Sequence, residues 1–355
     1  METFVTLIQD IENFRILIFF VFSTFFCFFL LLSFPKFWAA MVAISAEPMG
    51  LDLDSHKIPP SGAGLFFSGV YLLAGLVLDG AGYSFLEETE FFLSLAPLFL
   101  MSAAGFLDDI FEFPWLPRLV FYSLIAVFFV FFTRPMGFLT EPELGNFNII
   151  AFSLSILVLL WMTNIYNFMD GIDGLAASQA IFVLLSVSLI CLFFGESTPS
   201  PFLYFLIGPL VGFLLLNLPK AKIFMGDSGS IFLGFFFGIV MLHEIDVSIW
   251  CWLILLGVFL VDGTSTAMVR FFQGQNLAKK HQTHFYQHLS KSYGVWKALM
   301  LIQCCNVFWL LPMALFCFLK PQNGSLIFIV AMLPLLVVHL YSGAGQTKPH
   351  FFREL

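Results

Sequence analysis

Four polar side chains recur at intervals of three within the stretch NIYNFMDGIDGLA, residues 164–176: Asn164, Asn167, Asp170 and Asp173. They fall where one strongly apolar run ends and another begins. Ionisable groups at membrane depth are costly, and they persist where a function requires them. A spacing of three places neighbouring pairs on one helix face, although the series drifts around the axis. Gly171 and Gly174 flank Asp173, and glycine lets a backbone approach a ligand closely. Carboxylates and carboxamides beside glycine suit a hard cation that carries phosphate oxygens. The bland alternative is a polar boundary between a helix and a loop.

Similar groups recur between other apolar runs. Lys57 lies in the segment Ser55-His56-Lys57-Ile58-Pro59-Pro60, ahead of Gly62 and Gly64. Asp108 and Asp109 close another run, with Arg118 ten residues beyond Asp108. Residues 222–230 read KIFMGDSGS and hold Asp227, with Phe224 three residues before it. Asp262 and Arg270 come next, followed by Lys279, Lys280, His281, His284 and His288. Carboxylates on some loops and cations on others form the two halves of a magnesium–diphosphate site. Each piece has a plainer reading. An Asp pair at a helix end is often only solvated. The turn around Asp227 suits a helix N-cap as well as a phosphate cradle. His281-Gln-Thr-His284 has the look of a zinc half-site, but no Cys or second His pair at metal spacing completes it. Asp262 lies late in an apolar run, where structural burial and function stay equally open.

The elements that must carry these loops follow from composition. Of 355 residues, 60% are hydrophobic and only 11% charged, with a mean hydropathy of +0.95. That composition predicts an all-α integral membrane protein with no separate soluble domain. Hydropathy predicts a polytopic bundle of about eleven transmembrane helices near 14–34, 62–79, 91–107, 118–132, 148–163, 174–194, 201–218, 230–243, 248–269, 295–318 and 325–342. With the N-terminus outside and the C-terminus cytoplasmic, only Arg15, Arg134 and Lys320 of the 15 basic residues fall outside. This positive-inside asymmetry puts all five motif loops on the cytoplasmic face. The six Cys sit in apolar runs and read as buried thiols rather than a disulfide scaffold. A net charge of −8 argues against nucleic acid as a partner.

The order LDD, NxxNxxDGIDGLA, KIFMGDSGSxFLG and VDGT…R…HQTHFYQHL resembles the polyprenyl-phosphate N-acetylhexosamine-1-phosphate transferases, glycosyltransferase family 4. The likeness spans about residues 50–290 of a single 1–355 transmembrane domain, and the HQTHFYQ pattern is similar to bacterial O-antigen-initiating members. It departs at Pro59-Pro60-Ser61-Gly62, which lacks the usual Arg, and at Tyr122, where Gln often stands. The resemblance implies transfer of a sugar 1-phosphate from a UDP-N-acetylhexosamine to undecaprenyl phosphate. UMP would be released, Mg²⁺ would be required (with Mn²⁺ able to substitute), and lipid-linked cell-envelope polysaccharide synthesis would begin. It further implies a multi-pass inner-membrane enzyme in contact with membrane lipid, with a homodimer allowed. Its site residues would be Asp227 on the metal, completed by Asn167 or Asp170, and Asp108 as the base acting on the lipid phosphate, with Asp109 holding either the metal or Asp108. The donor would be bound by Asp173 and Phe224 at the uracil and by Lys57, Asn164, Gly171, Arg270, His281 and His284. Two chemical routes stay open, direct attack by the lipid phosphate and a covalent phosphosugar-enzyme.

The rival reading is an ion- or proton-coupled transporter, which would place acids near mid-helix along a path. Here the acids gather near helix ends, and Asp262 alone suits a relay.

Overall fold

A computed structural model describes residues 19–34, 36, 60–80, 88–133, 149–194, 201–243, 247–277 and 281–346, and every regular element among them is helical. In chain order these are α1 (Phe19–Leu32), α2 (Gly64–Gly80), α3 (Glu88–Phe111), α4 (Trp115–Thr133), α5 (Ile149–Met169), α6 (Leu175–Phe194), α7 (Pro201–Asn217) and α8 (Gly226–His243). They continue with α9 (Ile249–Leu255), α10 (Gly257–Phe272), α11 (Phe285–Tyr293), α12 (Val295–Cys305), α13 (Leu311–Leu319) and α14 (Gly324–Ser342).

Apolar residues surround most of these helices on every side, the pattern of a helix bathed in lipid or packed inside a bundle. Large apolar side chains such as Phe22, Phe193 and Phe308 are exposed, as they are where the solvent is hydrocarbon. Among the described residues, seven helical segments are long and apolar enough to cross a membrane, or eight if α9 and α10 form one span. Helix occurs at each of the eleven predicted segments, but α1, α2 and α7 present shorter apolar stretches. The N-terminal 18 and C-terminal nine residues, on which the predicted orientation depends, lie outside the described residues.

α8 is the centre of the bundle: 83% of its span is buried, against 28% for the α12–α13 span. Its most extensive neighbours are α3 and α5, so its first turn meets the ends of both.

Three features escaped hydropathy. α9 and α10 meet at a 76° bend, and the Leu255 carbonyl there accepts a hydrogen bond from Gln179 Nε2 of α6 at 3.0 Å. The segment Asn306–Leu310 between α12 and α13 is a π-turn. Its Asn306 Nδ2 donates to Gln179 Oε1 at 2.6 Å. The third feature is α11, which is short, amphipathic and too polar for a hydropathy window.

Candidate active site

The first turn of α8 has free backbone N–H groups, as every helix start does. Asp109, at the end of α3, supplies their partner. Its Oδ1 accepts from Asp227 N at 2.9 Å, and its Oδ2 accepts from Ser228 N at 3.1 Å. Ser61 Oγ adds a third hydrogen bond at 3.1 Å. The backbone must turn sharply here: Gly226 has φ +72°, and a Cβ would collide with the Asp109 carboxylate. The strand-like segment before α8 is pinned as well, since Phe224 N donates to Pro60 O at 2.8 Å and Gly64 N to Met225 O at 2.9 Å.

So mounted, Asp227 meets two partners. Asn167 Nδ2 donates to its Oδ1 at 2.8 Å, and Arg118 Nη1 pairs with its Oδ2 at 2.9 Å. The same Arg118 nitrogen also pairs with Asp108 Oδ2, so one cation is shared between two carboxylates. Asp108 is 6% exposed, and its other oxygen accepts from Phe113 N at 2.8 Å.

Beside this group lies a polar cavity of about 370 Å³. Asp109, Asn167, Asp170, Gly171, Asp173, Phe224 and Asp227 line it. Asp173 Oδ2 accepts from Lys220 N and Ala221 N at 3.0 and 3.1 Å, holding Lys220 at φ +72°, an unusual conformation for a side-chain-bearing residue. Asn217 staples the same segment, with its Oδ1 accepting from Gly174 N at 3.0 Å and its Nδ2 donating to Ile223 O at 2.9 Å. Together these bonds set Phe224 against the cavity. Asp170 differs from its neighbours, for it takes no hydrogen bond from the described residues. Burial, and then the like charges of Asp227, Asp109 and Asp173, push its carboxyl up to about 8.

An orphaned carboxylate among three others fits a divalent cation. Mg²⁺ is held by one or two carboxylates plus substrate phosphates rather than by a full protein cage. The described residues contain no group of three His, Cys, Asp or Glu arranged as a complete metal site. Asp170 and Asp227, with the Asn167 carboxamide, are the side chains able to hold such an ion.

The structure brings Asp109, Asn167, Asp170, Gly171, Asp173, Phe224 and Asp227 together, and it places the other expected residues elsewhere. Asp108 sits behind Arg118 rather than on the cavity wall, with both oxygens engaged. Asn164 faces its own helix, donating to Leu160 O at 2.7 Å, because three residues fall about 60° short of a full turn and carry it off the face that Asn167 presents to the cavity. Gly171 is needed by the protein as much as by a ligand, since a Cβ there would collide with the Tyr286 hydroxyl. Gly174 serves a left-handed turn at φ +78°. Lys57 lies outside the described residues.

Arg270, His281 and His284 also lie off the cavity wall. Arg270 is buried and bonds to Gln275 Oε1 at 3.1 Å and Asn276 O at 2.8 Å. His284 is 3% exposed, with Nδ1 3.2 Å from Asp262 Oδ1. His281 stacks on His284 at 5.0 Å, and burial, followed by the neighbouring His284 and Arg270, lowers it to about 4. This second cluster touches the cavity rim through Tyr286, whose hydroxyl donates to Phe168 O at 3.0 Å.

Arg118, Ser61, Asn217, Tyr286 and, through its 3.8 Å approach to Asp262, His339 take part without having been singled out as site residues. Arg118, Asn217 and His339 carried a signal, as polar groups next to or inside apolar runs. Ser61 and Tyr286 carried none.

The site is thus an acidic cavity at the ends of membrane-grade helices, with Phe224 on its wall and Arg118 paired to Asp227 beside it, a donor set suited to an anionic ligand bridged by a cation. The family model for glycosyl transferase family 4 matches residues 91–244. The chain is 29% identical over 256 residues to a probable undecaprenyl-phosphate N-acetylglucosaminyl 1-phosphate transferase of Bacillus subtilis (strain 168), covering 68% of each chain. An undecaprenyl-phosphate alpha-N-acetylglucosaminyl 1-phosphate transferase of Thermotoga maritima is 27% identical over 257 residues, covering 70% of this chain and 75% of the relative. A phospho-N-acetylmuramoyl-pentapeptide-transferase of Leuconostoc mesenteroides is 33% identical over 203 residues, or 52% and 62% of the two chains.

Proposed function

We propose that the protein transfers an N-acetylhexosamine 1-phosphate from a UDP-sugar to undecaprenyl phosphate, releasing UMP, at the cytoplasmic face of the plasma membrane. The observation that carries this reading is the acidic cavity beside the α8 N-terminus, in which Asp170 takes no hydrogen bond from the described residues. The relatives named above act on undecaprenyl phosphate or carry phospho-sugar transferase names. Arg118, Lys220, Lys222 and Arg270 lie in or beside the motif loops, which supports a cytoplasmic placement by the positive-inside rule.

In this reading Asp170, Asp227 and Asn167 would hold Mg²⁺, which would supply charge neutralisation at the donor diphosphate. Phe224 stacks on the uracil and Asp173 accepts a hydrogen bond from it. Arg118 meets the phosphate of the acceptor, with Asp108 orienting it from behind. A phosphate monoester has a second pKa near 6 and is already a nucleophile at neutral pH. Its oxygen attacks the donor β-phosphorus, the bond from that phosphorus to the bridging oxygen breaks, and UMP leaves with the electron pair. With both Asp108 oxygens engaged, orientation and charge neutralisation carry the step in place of a carboxylate base.

The test is transfer of label from a panel of UDP-N-acetylhexosamines to undecaprenyl phosphate by purified protein, with UDP-N-acetylglucosamine first. Label in the lipid with equimolar UMP is the expected result. Release of UMP with no labelled lipid, or no reaction with any donor, overturns it. Robust UMP–donor exchange without lipid would establish the covalent route instead. The transport reading gains no support here. Asp262, the one acid suited to a relay, is bonded to the backbone of the first turn of α11 instead of lining a path.

A further inference from the structure

We infer that Asp262, clamped between His284 and His339, is a positioning residue for the donor pocket and acts on it through Tyr286. The inference rests on the function proposed above. Asp262 has no exposed surface, yet every oxygen is engaged. Oδ1 accepts from Phe285 N at 2.9 Å, from Thr266 Oγ1 at 3.2 Å and from the His284 ring at 3.2 Å. Oδ2 accepts from Tyr286 N at 3.0 Å and faces His339 Nε2 at 3.8 Å. A buried carboxylate with this many donors is fixed in place, and so is whatever it grips. Asp262 grips the first turn of α11.

From there the connection to the pocket is short. The Tyr286 backbone bonds to Asp262, and its hydroxyl donates to Phe168 O at 3.0 Å. Phe168 lies two residues before Asp170, and the same hydroxyl presses against Gly171. Tyr286 is thus a strut from Asp262 to the turn that presents Asp170, Gly171 and Asp173 to the cavity.

His339 belongs to α14, beyond the matched family region and the motif-bearing stretch, and holds the strut from behind. Its Nδ1 must donate to Leu335 O at 2.7 Å, since a carbonyl only accepts. Nε2 is therefore left toward the Asp262 carboxylate with no hydrogen bond of its own. The His339 ring also packs on Phe285 at 4.5 Å. Just past α14, Gly345 N donates to Thr283 O at 2.7 Å. The last helix and its C-terminal turn thereby clamp the His281–His284 loop. Outer partners that orient binding groups this way are worth about 10- to 100-fold when removed.

The experiment uses the full-length protein in detergent and the variants Tyr286→Phe, His339→Leu, His339→Gln and Asp262→Asn. UDP binding with MgCl₂ is measured by calorimetry, beside steady-state kinetics for both substrates and a thermal melt. Tyr286→Phe and His339→Leu are expected to weaken UDP and raise the donor KM by about ten-fold, with kcat and the acceptor KM within about two-fold of wild type. His339→Gln, which keeps a polar group of similar reach against Asp262, is expected to recover to within about three-fold. Folded variants with unchanged UDP affinity and donor KM would refute the positioning role, even if they melt earlier. If Asp262→Asn does not fold, the Tyr286 and His339 variants decide the question. Wild-type protein that neither binds UDP nor transfers sugar would overturn the proposed function instead.

Discussion

The carboxylates at the head of α8 and the carboxylate in α10 are the same chemical group in opposite states. Asp170 faces a polar cavity without a hydrogen bond from the described residues, and Asp227 shares its one cation with Asp108. Asp262 is enclosed and receives hydrogen bonds from four donors. An acid left short of partners is poised for something that arrives, whereas one fully supplied is part of the frame. Degree of satisfaction, more than residue type, separates Asp170 from Asp262 here.

The sharpest break in this comparison would come at Asp227. Asp227→Asn keeps the volume and loses the charge, so turnover is expected to fall by about 10³-fold with folding retained. Near-normal activity in that variant would remove Asp227 from the ligand-binding class. Chelation should likewise silence the wild type, and added Mg²⁺ should restore it, as UMP release will show. Next in size is Phe224→Ala, expected to raise the donor KM about ten-fold and change kcat less, the usual scale of base stacking. An unchanged KM would leave Phe224 as packing.

A subtler effect concerns pH. In chelator, the Asp170 carboxyl is raised to about 8 from an ordinary value near 4. Its contribution to stability is complete below about pH 4 and is lost as pH rises toward 8, because the unfolded chain ionises first. The melting temperature is therefore expected to fall across that window, to recover on adding Mg²⁺ at pH 8, and to lose part of this dependence in Asp170→Asn. A melting temperature indifferent to pH in both proteins would contradict the geometry. The smallest effect is expected from Asn164→Ala, with donor KM within about two-fold of wild type, since Asn164 faces Leu160. A large KM effect would return it to the donor site.

Much of the frame could be read from hydropathy, because a helix in lipid announces itself by length and apolarity. The cavity residues were also readable, since Asn167, Asp170, Asp173 and Asp227 are polar groups at the ends of apolar runs. What escaped depends on contacts distant in sequence. Nothing near Arg118 says that it bridges Asp108 and Asp227, residues ten and 109 positions away. The bend at Leu256 contains no proline and is held from another helix. Asn164 and Asn167 looked equivalent in a series of three, but 3.6 residues per turn carries one of them off the cavity.

The clip at that bend also bears on the order in which the molecule can be built. Gln179 enters the membrane with α6, but its two partners are synthesised much later, Leu255 after 76 residues and Asn306 after 127. Until α12 arrives, a carboxamide sits among lipid-facing helices without its final hydrogen bonds, at a cost of roughly 1–2 kcal/mol per bond. The walls of the acidic cavity are complete once α8 is made. The bend, the Asp262 clamp and its last contact at His339 must wait for the C-terminal third of the chain. Biosynthesis therefore finishes the acidic wall first and the strut behind it last, so the nascent chain holds every residue of the cavity wall before it holds their support.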